Sequence, residues 1–320
     1  MKVLITGCNG QVGSYLMELY LQKGWEVYGT IRQRSNIEFL TDIEKQVNFE
    51  MQDIRDPHGV LNLIDRLKPN VVHHMAAMSY VPYSWENPVD TIQTNIIGTV
   101  NILEALRQAS QATVVQFAGS SEEYGRVPST EMPITEDTKV YPASPYGVSK
   151  LAGDFFFQQY YRSYGMHTVV TRTFNHTSPR RGDVFLTKTA VLQALEIKHG
   201  KRECFKLGNM DAIRDFSDCR DIAEAYYLSV THPKVKYGFP YVVASGKGYS
   251  VRQVVDLVAD LAGIDKKVEQ DPTKLRPSDC PMMIGDSTLF RETTGWTPKH
   301  QFRDTLGWML IALEERLYPS

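Results

Sequence analysis

The chain has 320 residues, of which 42% are hydrophobic and 22% charged, and its formal net charge is −2. This composition is typical of a globular protein with one large or two modest domains. The near-zero charge gives no basic field for nucleic acid, and no apolar run approaches the roughly 18 residues of a membrane span. The four cysteines are scattered without metal-site or disulfide spacing. We therefore expect no metal, no nucleic-acid or membrane partner, and a cytoplasmic location, because the chain enters a strand at once without a signal peptide.

The first motif is a glycine loop between a strand and a helix. Lys2 to Thr6 is predicted as a strand, the next seven residues contain GxxGxxG, and an amphipathic helix follows from Ser14 to Lys23. This order presents backbone N–H groups and the positive end of a helix to a pyrophosphate. A structural glycine turn is the alternative. The residues expected to bind a dinucleotide here are Gly7, Gly10, Gln11, Val12 and Gly13.

The second strand predicts which dinucleotide is bound. Trp25 to Ile31 ends in Arg32-Gln33-Arg34-Ser35, and no Asp or Glu occupies positions 28 to 36. An acidic residue at this point usually binds the ribose 2′-hydroxyl of NAD, whereas arginine accommodates the 2′-phosphate of NADP. Arg32 and Arg34 therefore favour NADP, and a solvated basic loop is the alternative.

Two more strand ends supply candidate cofactor contacts. Asp53 and Ile54 follow a strand over 47–51 and are placed to meet the adenine. Ala76 and Ala77 follow a strand over 70–74, where small side chains would admit the nicotinamide or its ribose. The alternation of strands and helices predicts an α/β fold with a doubly wound parallel (Rossmann) sheet, which binds ligands at the carboxyl ends of its strands. A single helix is expected over 89–108, and its Asn95 must find hydrogen-bond partners if buried.

Four side chains suited to catalysis come next. Ser120 and Glu122 follow a buried strand over 113–117, and Tyr146 and Lys150 lie one turn apart on one face of a helix. A hydroxyl, a carboxylate, a phenol and an ammonium can converge on one substrate carbon. For Glu122, a loop carboxylate that caps a backbone group is the alternative.

The glycine turn, Asp53-Ile54, Ser120, Glu122 and Tyr146-x-x-x-Lys150 together resemble the extended short-chain dehydrogenase/reductase family of nucleotide-sugar enzymes, over essentially the whole chain. The resemblance implies that Tyr146 is the acid/base. Lys150 would favour the ionised phenol and bind the nicotinamide ribose, and Ser120 would hydrogen-bond the reacting oxygen. Glu122 suits a 4,6-dehydratase, which needs a base for the C5 proton while the C6 hydroxyl leaves.

The second half is similar to GDP-mannose 4,6-dehydratases. Its polar segments are 174–182, 207–215 and 275–279. By that resemblance Asn175, Arg180, Arg214 and Arg276 face a nucleotide sugar, since guanidinium matches phosphate geometry. We expect residues 1–174 to form the dinucleotide-binding domain. Residues 175–320 would form a smaller mixed α/β region for the nucleotide sugar, with the chain crossing back to the first domain.

Other functions remain open at this point. The segments 119–125 and 171–176 resemble GDP-4-keto-6-deoxymannose reductases equally well, while Pro179-Arg180-Arg181-Gly182 favours the dehydratase. The sequence therefore predicts an NADP-dependent 4,6-dehydratase acting on GDP-mannose, as a homodimer or homotetramer. A nucleotide-sugar 4-ketoreductase is the alternative, and a non-catalytic dinucleotide-binding sensor or scaffold is a remote one.

Overall fold

A computed structural model describes residues 1–110, 112–274 and 280–319. Within these ranges the strands are β1 (Lys2–Thr6), β2 (Glu26–Ile31), β3 (Asn48–Met51), β4 (Val71–His74), β5 (Val114–Ser120), β6 (Thr168–Thr173), β7 (Asn175–Thr177), β8 (Phe205–Leu207), β9 (Ile213–Asp218), β10 (Pro240–Val243), β11 (Gly248–Ser250), β12 (Val268–Gln270) and β13 (Met282–Met283). The helices are α1 (Gln11–Gln22), α2 (Pro57–Leu67), α3 (Val81–Glu86), α4 (Pro88–Ile92), α5 (Gly98–Gln108), α6 (Pro145–Tyr164), α7 (Leu186–Lys198), α8 (Cys219–Thr231), α9 (Val251–Ala262), α10 (Thr288–Thr294) and α11 (Phe302–Leu317).

The main sheet has seven strands in the order β10-β6-β5-β4-β1-β2-β3. Every neighbouring pair is parallel. Alternate residues of β1 serve opposite faces: Val3 and Ile5 join a core with α1 and α8, whereas Leu4 joins a core with α2, α5 and α6. Helices thus cover both faces, which confirms the predicted doubly wound sheet.

The second half contains smaller sheets of mixed direction. β9 is antiparallel to β11 and parallel to β7 and β13, and β8 pairs with β12. A separate core cluster packs α7, α9 and α11 together beside these strands. Strand β10 belongs to the main sheet, beside β6, so the chain returns to the first half after residue 239.

The strand order reverses between β1 and β4, and this is where the loops approach most closely. The Thr6 hydroxyl accepts hydrogen bonds from the backbone N–H groups of Met75 and Ala76, at 3.1 Å each. Gly7 has φ +63°, and a Cβ there would lie 2.8 Å from Cα of Ala76. Ligand crevices form at such switch points in open α/β sheets.

The helix expected over 89–108 is wrong as a single element. Between α4 and α5 the segment Gln93–Ile97 forms a π-helical turn, which carries the buried Asn95. Its Oδ1 accepts from the Met78 N–H at 2.8 Å, and its Nδ2 donates to the Met78 carbonyl and to Ser149 Oγ. The extra residue of the turn aims Asn95 at the loop after β4 and at α6, and single π-turns are frequent at functional sites.

The two histidines of β4 are buried and fully engaged in hydrogen bonds. His73 hydrogen-bonds Tyr20 of α1 and Gln116 of β5, and His74 hydrogen-bonds Thr6 and Thr99. Burial lowers the pKa of His73 to about 4 and that of His74 to about 3, so both rings are neutral at physiological pH.

The described residues contain neither a membrane-spanning helix nor a metal-binding cluster. None of the helices seen there is long and apolar enough to cross a bilayer. Nor do three or more His, Cys, Asp or Glu side chains gather there in a group that could hold a metal ion.

The glycine at the switch point can be tested against a second glycine with similar backbone angles. Gly7→Ala must place a methyl group against Ala76, whereas Gly24, at φ +73°, faces open space. Both variants lose roughly 1–2 kcal/mol for the left-handed backbone, and only Gly7→Ala adds a steric cost. Urea denaturation should therefore show Gly7→Ala to be clearly the less stable; equal losses would contradict the close packing at this point.

Candidate active site

One cavity of about 1110 Å³ opens at the carboxyl edge of the main sheet and extends over the second half. It exceeds the roughly 300–1,000 Å³ of ordinary small-molecule sites, so it has room for two large ligands. Most of the predicted site residues line it: Gly7, Gly10, Gln11, Val12, Gly13, Arg32, Asp53, Ile54, Ala76, Ala77, Ser120, Glu122, Tyr146, Lys150, Asn175 and Arg214. Of the other described candidates, Arg34 and Arg180 do not line this wall, and Arg276 lies outside the described residues.

The glycine loop fits a dinucleotide phosphate. Helix α1 begins at Gln11 with Gly10 as its N-cap, and no side chain caps this end. A Cβ at Gly13 would lie 2.7 Å from the Gly7 carbonyl oxygen, so the loop can fold this tightly only with glycine. Free N–H groups at a helix N-terminus, bordered by a cavity, form an anion site.

The basic loop after β2 contributes one arginine to the cavity. Arg32 and Ser35 line the wall, and the Arg32 backbone N–H donates to Ser35 Oγ at 3.1 Å. Arg34 is exposed with φ +63° and lies outside the wall. Arg32 and Arg34 look alike in the sequence, but the turn places only Arg32 in the cavity wall.

Asp53 and Ile54 lie on the adenine side of the expected cofactor path. The Asp53 carboxylate pairs with Arg55 at 2.7 Å, and this partner holds the pKa of Asp53 below its usual range. Ile54 is 4% exposed, and a Cβ at Gly98 would meet its side chain. The pair therefore presents an ionised carboxylate and an apolar surface.

In the loop after β7, the arginine that lines the cavity is Arg181 and not Arg180, for which this place was expected. Arg180 ion-pairs with Glu18, stacks over Tyr15 and lines a separate small pocket. Arg181 instead lines the main cavity, where its Nη1 donates to Gln11 Oε1 at 2.8 Å and its guanidinium lies 3.6 Å from the Phe185 ring centre. The structure thus corrects the placement of Arg180: its guanidinium is occupied by Glu18, away from the cavity.

Arg181 is a functional residue that sequence reasoning missed. Burial lowers its pKa to about 10, so the cation is incompletely compensated and favours an anionic ligand. The sequence shows two successive arginines, Arg180 and Arg181, but it does not indicate which of the two side chains faces the cavity.

Ser120 and Glu122 stand together where β5 ends. The Ser120 hydroxyl accepts from the Glu122 N–H at 3.2 Å, which caps a short 3₁₀ turn. Ser120 is 8% exposed and Glu122 is half-buried, and both line the cavity. The capping role considered for Glu122 falls to Glu123, whose carboxyl accepts from the Ser120 N–H at 2.7 Å. Glu122 is left facing the cavity.

Tyr146 and Lys150 come from the first turns of α6. Ser144 caps this helix, and Ser84 accepts from the Tyr146 N–H at 3.1 Å, so the start of the helix is fixed from two sides. Burial raises the pKa of Tyr146 well above its usual range, opposed mainly by a hydrogen bond with Ser120. The Ser120 hydroxyl thus favours ionisation of the Tyr146 phenol, against the effect of burial.

Lys150 is buried, and its ammonium donates to the Ala118 carbonyl at 2.8 Å. The Nζ atom lies 5.9 Å from the centre of the Tyr146 ring. Burial lowers the pKa of Lys150 to about 8, and a negative charge on Glu123 would oppose this shift. The protein alone thus makes this ammonium unusually easy to deprotonate.

The second half of the chain contributes polar groups to the cavity from β7, β9 and neighbouring loops. Asn175 begins β7, and Arg214 on β9 donates to the carbonyls of Ile213 and Cys280. Asn209 and Lys274 also line this end of the cavity. Arg276, expected here, lies outside the described residues.

The fold and this site define a nucleotide-sugar-modifying short-chain dehydrogenase/reductase. The family model for GDP-mannose 4,6 dehydratase matches residues 4–309. The chain therefore belongs to the GDP-mannose 4,6-dehydratase family, which confirms the predicted family and the dehydratase function.

Three similar proteins support this assignment. A GDP-mannose 4,6-dehydratase of Vibrio cholerae is 32% identical over 97% of this chain and 93% of its own length. RMD from Pseudomonas aeruginosa, solved with NADPH, is 28% identical with a TM-score of 0.85 over 99% of both chains. The UDP-glucose 4-epimerase of Thermotoga maritima, solved with UDP-glucose, is 25% identical with a TM-score of 0.90, covering 99% of this chain and 100% of its own.

The pKa of Lys150 can be measured directly. In protein labelled with ¹³C at lysine Cε, the signal that disappears in Lys150→Arg should titrate near pH 8 in the absence of ligands, because burial disfavours the ammonium. An unperturbed lysine side chain has a pKa of about 10.4. A Lys150 signal that moves only at that higher pH would contradict the burial described here.

Proposed function

We propose that the protein converts GDP-mannose to GDP-4-keto-6-deoxymannose with the four cavity residues Ser120, Glu122, Tyr146 and Lys150. The observation that carries this proposal is their convergence on one wall of a cavity that also contains the glycine loop. A hydroxyl–phenol pair and a separate carboxylate are the groups needed for oxidation at C4 followed by elimination across C5 and C6.

Tyr146 removes the proton of the C4 hydroxyl. Ser120, which lines the same cavity, orients that hydroxyl by a hydrogen bond. Lys150 lies one helical turn below and supplies the positive charge that favours the phenolate. A dinucleotide held by the glycine loop would supply the hydride chemistry, as acceptor from C4 and donor to C6.

Glu122 carries out the elimination. A ketone at C4 acidifies the C5 proton, and Glu122 takes this proton while the C6 hydroxyl leaves as water. The same carboxyl passes this proton to the departing C6 hydroxyl, so that one residue serves as base and as acid. When hydride adds to C6, C5 takes up one proton in turn, equivalent to the one that Tyr146 removed from the C4 hydroxyl. Its half-buried position beside Ser120 suits access to both carbons.

The cofactor we propose is NADP. The glycine loop and the α1 N-terminus would hold the pyrophosphate, and Arg32 with Ser35 would hold the 2′-phosphate. Ala76 and Ala77 would border the nicotinamide ribose. The similarity to RMD solved with NADPH supports this choice.

The nucleotide sugar would lie over the second half of the cavity. Asn175 and Arg214 are the proposed contacts, and Arg181 takes the place first assigned to Arg180, because it alone of the two faces the cavity. Arg276 remains a proposal from sequence similarity. We keep the division at residues 174 and 175 as a functional boundary, with 1–174 for the dinucleotide and 175–320 for the nucleotide sugar.

We further propose that the protein is a cytoplasmic homodimer or homotetramer. All four cysteines are free and buried, which suits a reducing compartment. Large apolar side chains are exposed on α3, α4 and α6, including Trp85, Val89, Ile92 and Phe155. Such a patch marks an association surface, and a monomer in sedimentation at micromolar concentration would argue against this use of it.

Replacement of Glu122 separates dehydration from cofactor binding. With GDP-mannose and trace NADP, the unaltered protein should form the 4-keto-6-deoxy product without net NADPH. Glu122→Gln should lower this rate about 10²–10⁴-fold, the usual contribution of a general acid/base, while NADP binding is unchanged. Glu86→Gln, which neutralises another cavity carboxylate at an exposed position, is the matched control and should keep full activity.

Two results would count against this function. One is full activity of Glu122→Gln. The other is a requirement for stoichiometric NADPH with a 4-keto substrate, which would instead indicate the ketoreductase.

The two arginines of the basic loop test the cofactor. Arg32→Ala should weaken NADP binding roughly 10- to 100-fold, the value of a hydrogen bond to a charged group, and leave NAD binding nearly unchanged. Arg34→Ala removes the same charge from outside the cavity and should have little effect. Equal losses for NADP and NAD, measured by fluorescence titration, would refute 2′-phosphate recognition by Arg32.

A further inference from the structure

A buried charged cluster lies directly behind the cavity wall and takes no part in the steps above. Its members are Glu123, Asp154 and Arg172, all 4% exposed or less. Arg172 Nε is 2.7 Å from Asp154 Oδ2 and 3.3 Å from Glu123 Oε2. Glu123 does not line the cavity, so it cannot touch a substrate there.

Glu123 contacts the catalytic segment through the backbone. Its Oε1 accepts from the Ser120 N–H at 2.7 Å, within a capping box in which Ser120 and Glu123 bond reciprocally. Ser120 Oγ in turn accepts from the Glu122 N–H. One carboxyl group therefore fixes the turn that sets the directions of both Ser120 and Glu122.

The backbone is shaped to admit this carboxyl. A Cβ at Gly119 would lie 2.8 Å from Glu123 Oε1 and 3.0 Å from the Thr171 carbonyl. Arg172 lies opposite Gly119 in the β5–β6 register, so the glycine leaves the space in which the carboxyl lies close to the strand. The side chain is thus held between β5, β6 and α6.

The charges around Glu123 influence whether its carboxyl is protonated. Two buried carboxyls share one guanidinium, and Arg172 also donates to Tyr124 and to the Glu136 carbonyl. Burial raises the pKa of Glu123 well above its usual range, and the neighbouring Asp154 raises it further. A proton on Glu123 would relieve this excess negative charge, and Glu123 Oε2 accepts no hydrogen bond from the described residues.

We propose that Glu123 is a positioning residue, whose carboxyl, beside the Arg172–Asp154 ion pair, holds Ser120 and Glu122 in their reactive directions. This inference rests on the proposed roles of Ser120 and Glu122, and it adds that both residues depend on the Glu123 carboxyl for their orientation. The uncharged form also matters for Tyr146 and Lys150, because a charge on Glu123 would raise the pKa of both.

Two substitutions separate positioning from simple stabilisation. Glu123→Gln keeps an acceptor for the Ser120 N–H and places an amide donor where the proton lies, so kcat should stay within about threefold and its pH profile should not move. Glu123→Leu has similar volume but leaves the Ser120 N–H unpaired. It should lower kcat roughly 10- to 100-fold, as expected for misplaced reactive groups, with little change in KM.

Glu136→Leu is the matched control. The Glu136 carboxylate also accepts a backbone N–H, that of Val242 at 2.8 Å. The hydrogen bond between Glu136 and Arg172, however, is made by the backbone carbonyl of Glu136. This variant should lose stability without a comparable loss of kcat. Thermal unfolding of all three variants establishes that kcat is measured on folded protein.

A readout without substrate keeps this test independent of the proposed function. Hydrogen exchange of the Ser120 amide should be faster in Glu123→Leu and unchanged in Glu123→Gln and Glu136→Leu. The positioning role is overturned if Glu123→Leu keeps both its kcat and slow exchange, or if Glu136→Leu loses as much kcat. A shifted pH profile in Glu123→Gln would show that Glu123 is charged, against the proposal. Failure of the unaltered protein to make product would refute the function, and the exchange result would still decide the positioning.

Discussion

The site depends on the close approach of two loops where the strand order of the main sheet reverses. Gly7 follows β1, Ala76 follows β4, and no side chain larger than hydrogen fits at Gly7. From this contact a chain of buried hydrogen bonds runs from Thr6 through His74, Thr99, Asn95 and Ser149 to the Tyr146 carbonyl. The loop that would hold the dinucleotide and the helix that presents Tyr146 are therefore parts of one connected structure.

The second constraint is electrostatic. The cavity wall buries a phenol, an ammonium and, just behind them, a carboxyl, and each protonation state influences the others. Burial alone makes Tyr146 harder and Lys150 easier to deprotonate, so the protein without ligands is not yet arranged for proton abstraction. A negative charge on Glu123 would raise the pKa of both groups, so an uncharged Glu123 eases formation of the phenolate but leaves the Lys150 ammonium easier to deprotonate.

The sequence was informative where the chemistry is local. Residue alternation in β1, the glycine loop and the i, i+4 spacing of Tyr146 and Lys150 all follow from short-range geometry, and they predicted the sheet and most of the cavity wall. Neighbouring residues with the same chemistry were harder to distinguish: Arg32 faces the cavity and Arg34 does not, and Arg181 faces it in place of Arg180. Their directions depend on a left-handed turn and on the distant Glu18, which no local pattern contains.

The same limit applies to the adjacent glutamates and to Asn95. Glu122 was recognised because a carboxylate suits elimination, whereas Glu123 became significant only when its partners Asp154 and Arg172, 31 and 49 residues further along, were in place. The π-helical turn at Asn95 was missed because helical periodicity does not reveal one inserted residue.

The central claim is that one cavity oxidises C4, eliminates water and reduces C6 within a single turnover. It is tested most directly with GDP-mannose that carries deuterium at C4, incubated with the protein and unlabelled NADP. The account predicts that the label appears at C6 of the 4-keto-6-deoxy product, in the same molecule from which it came. Label that is lost to free NADPH, or that remains at C4, would contradict it.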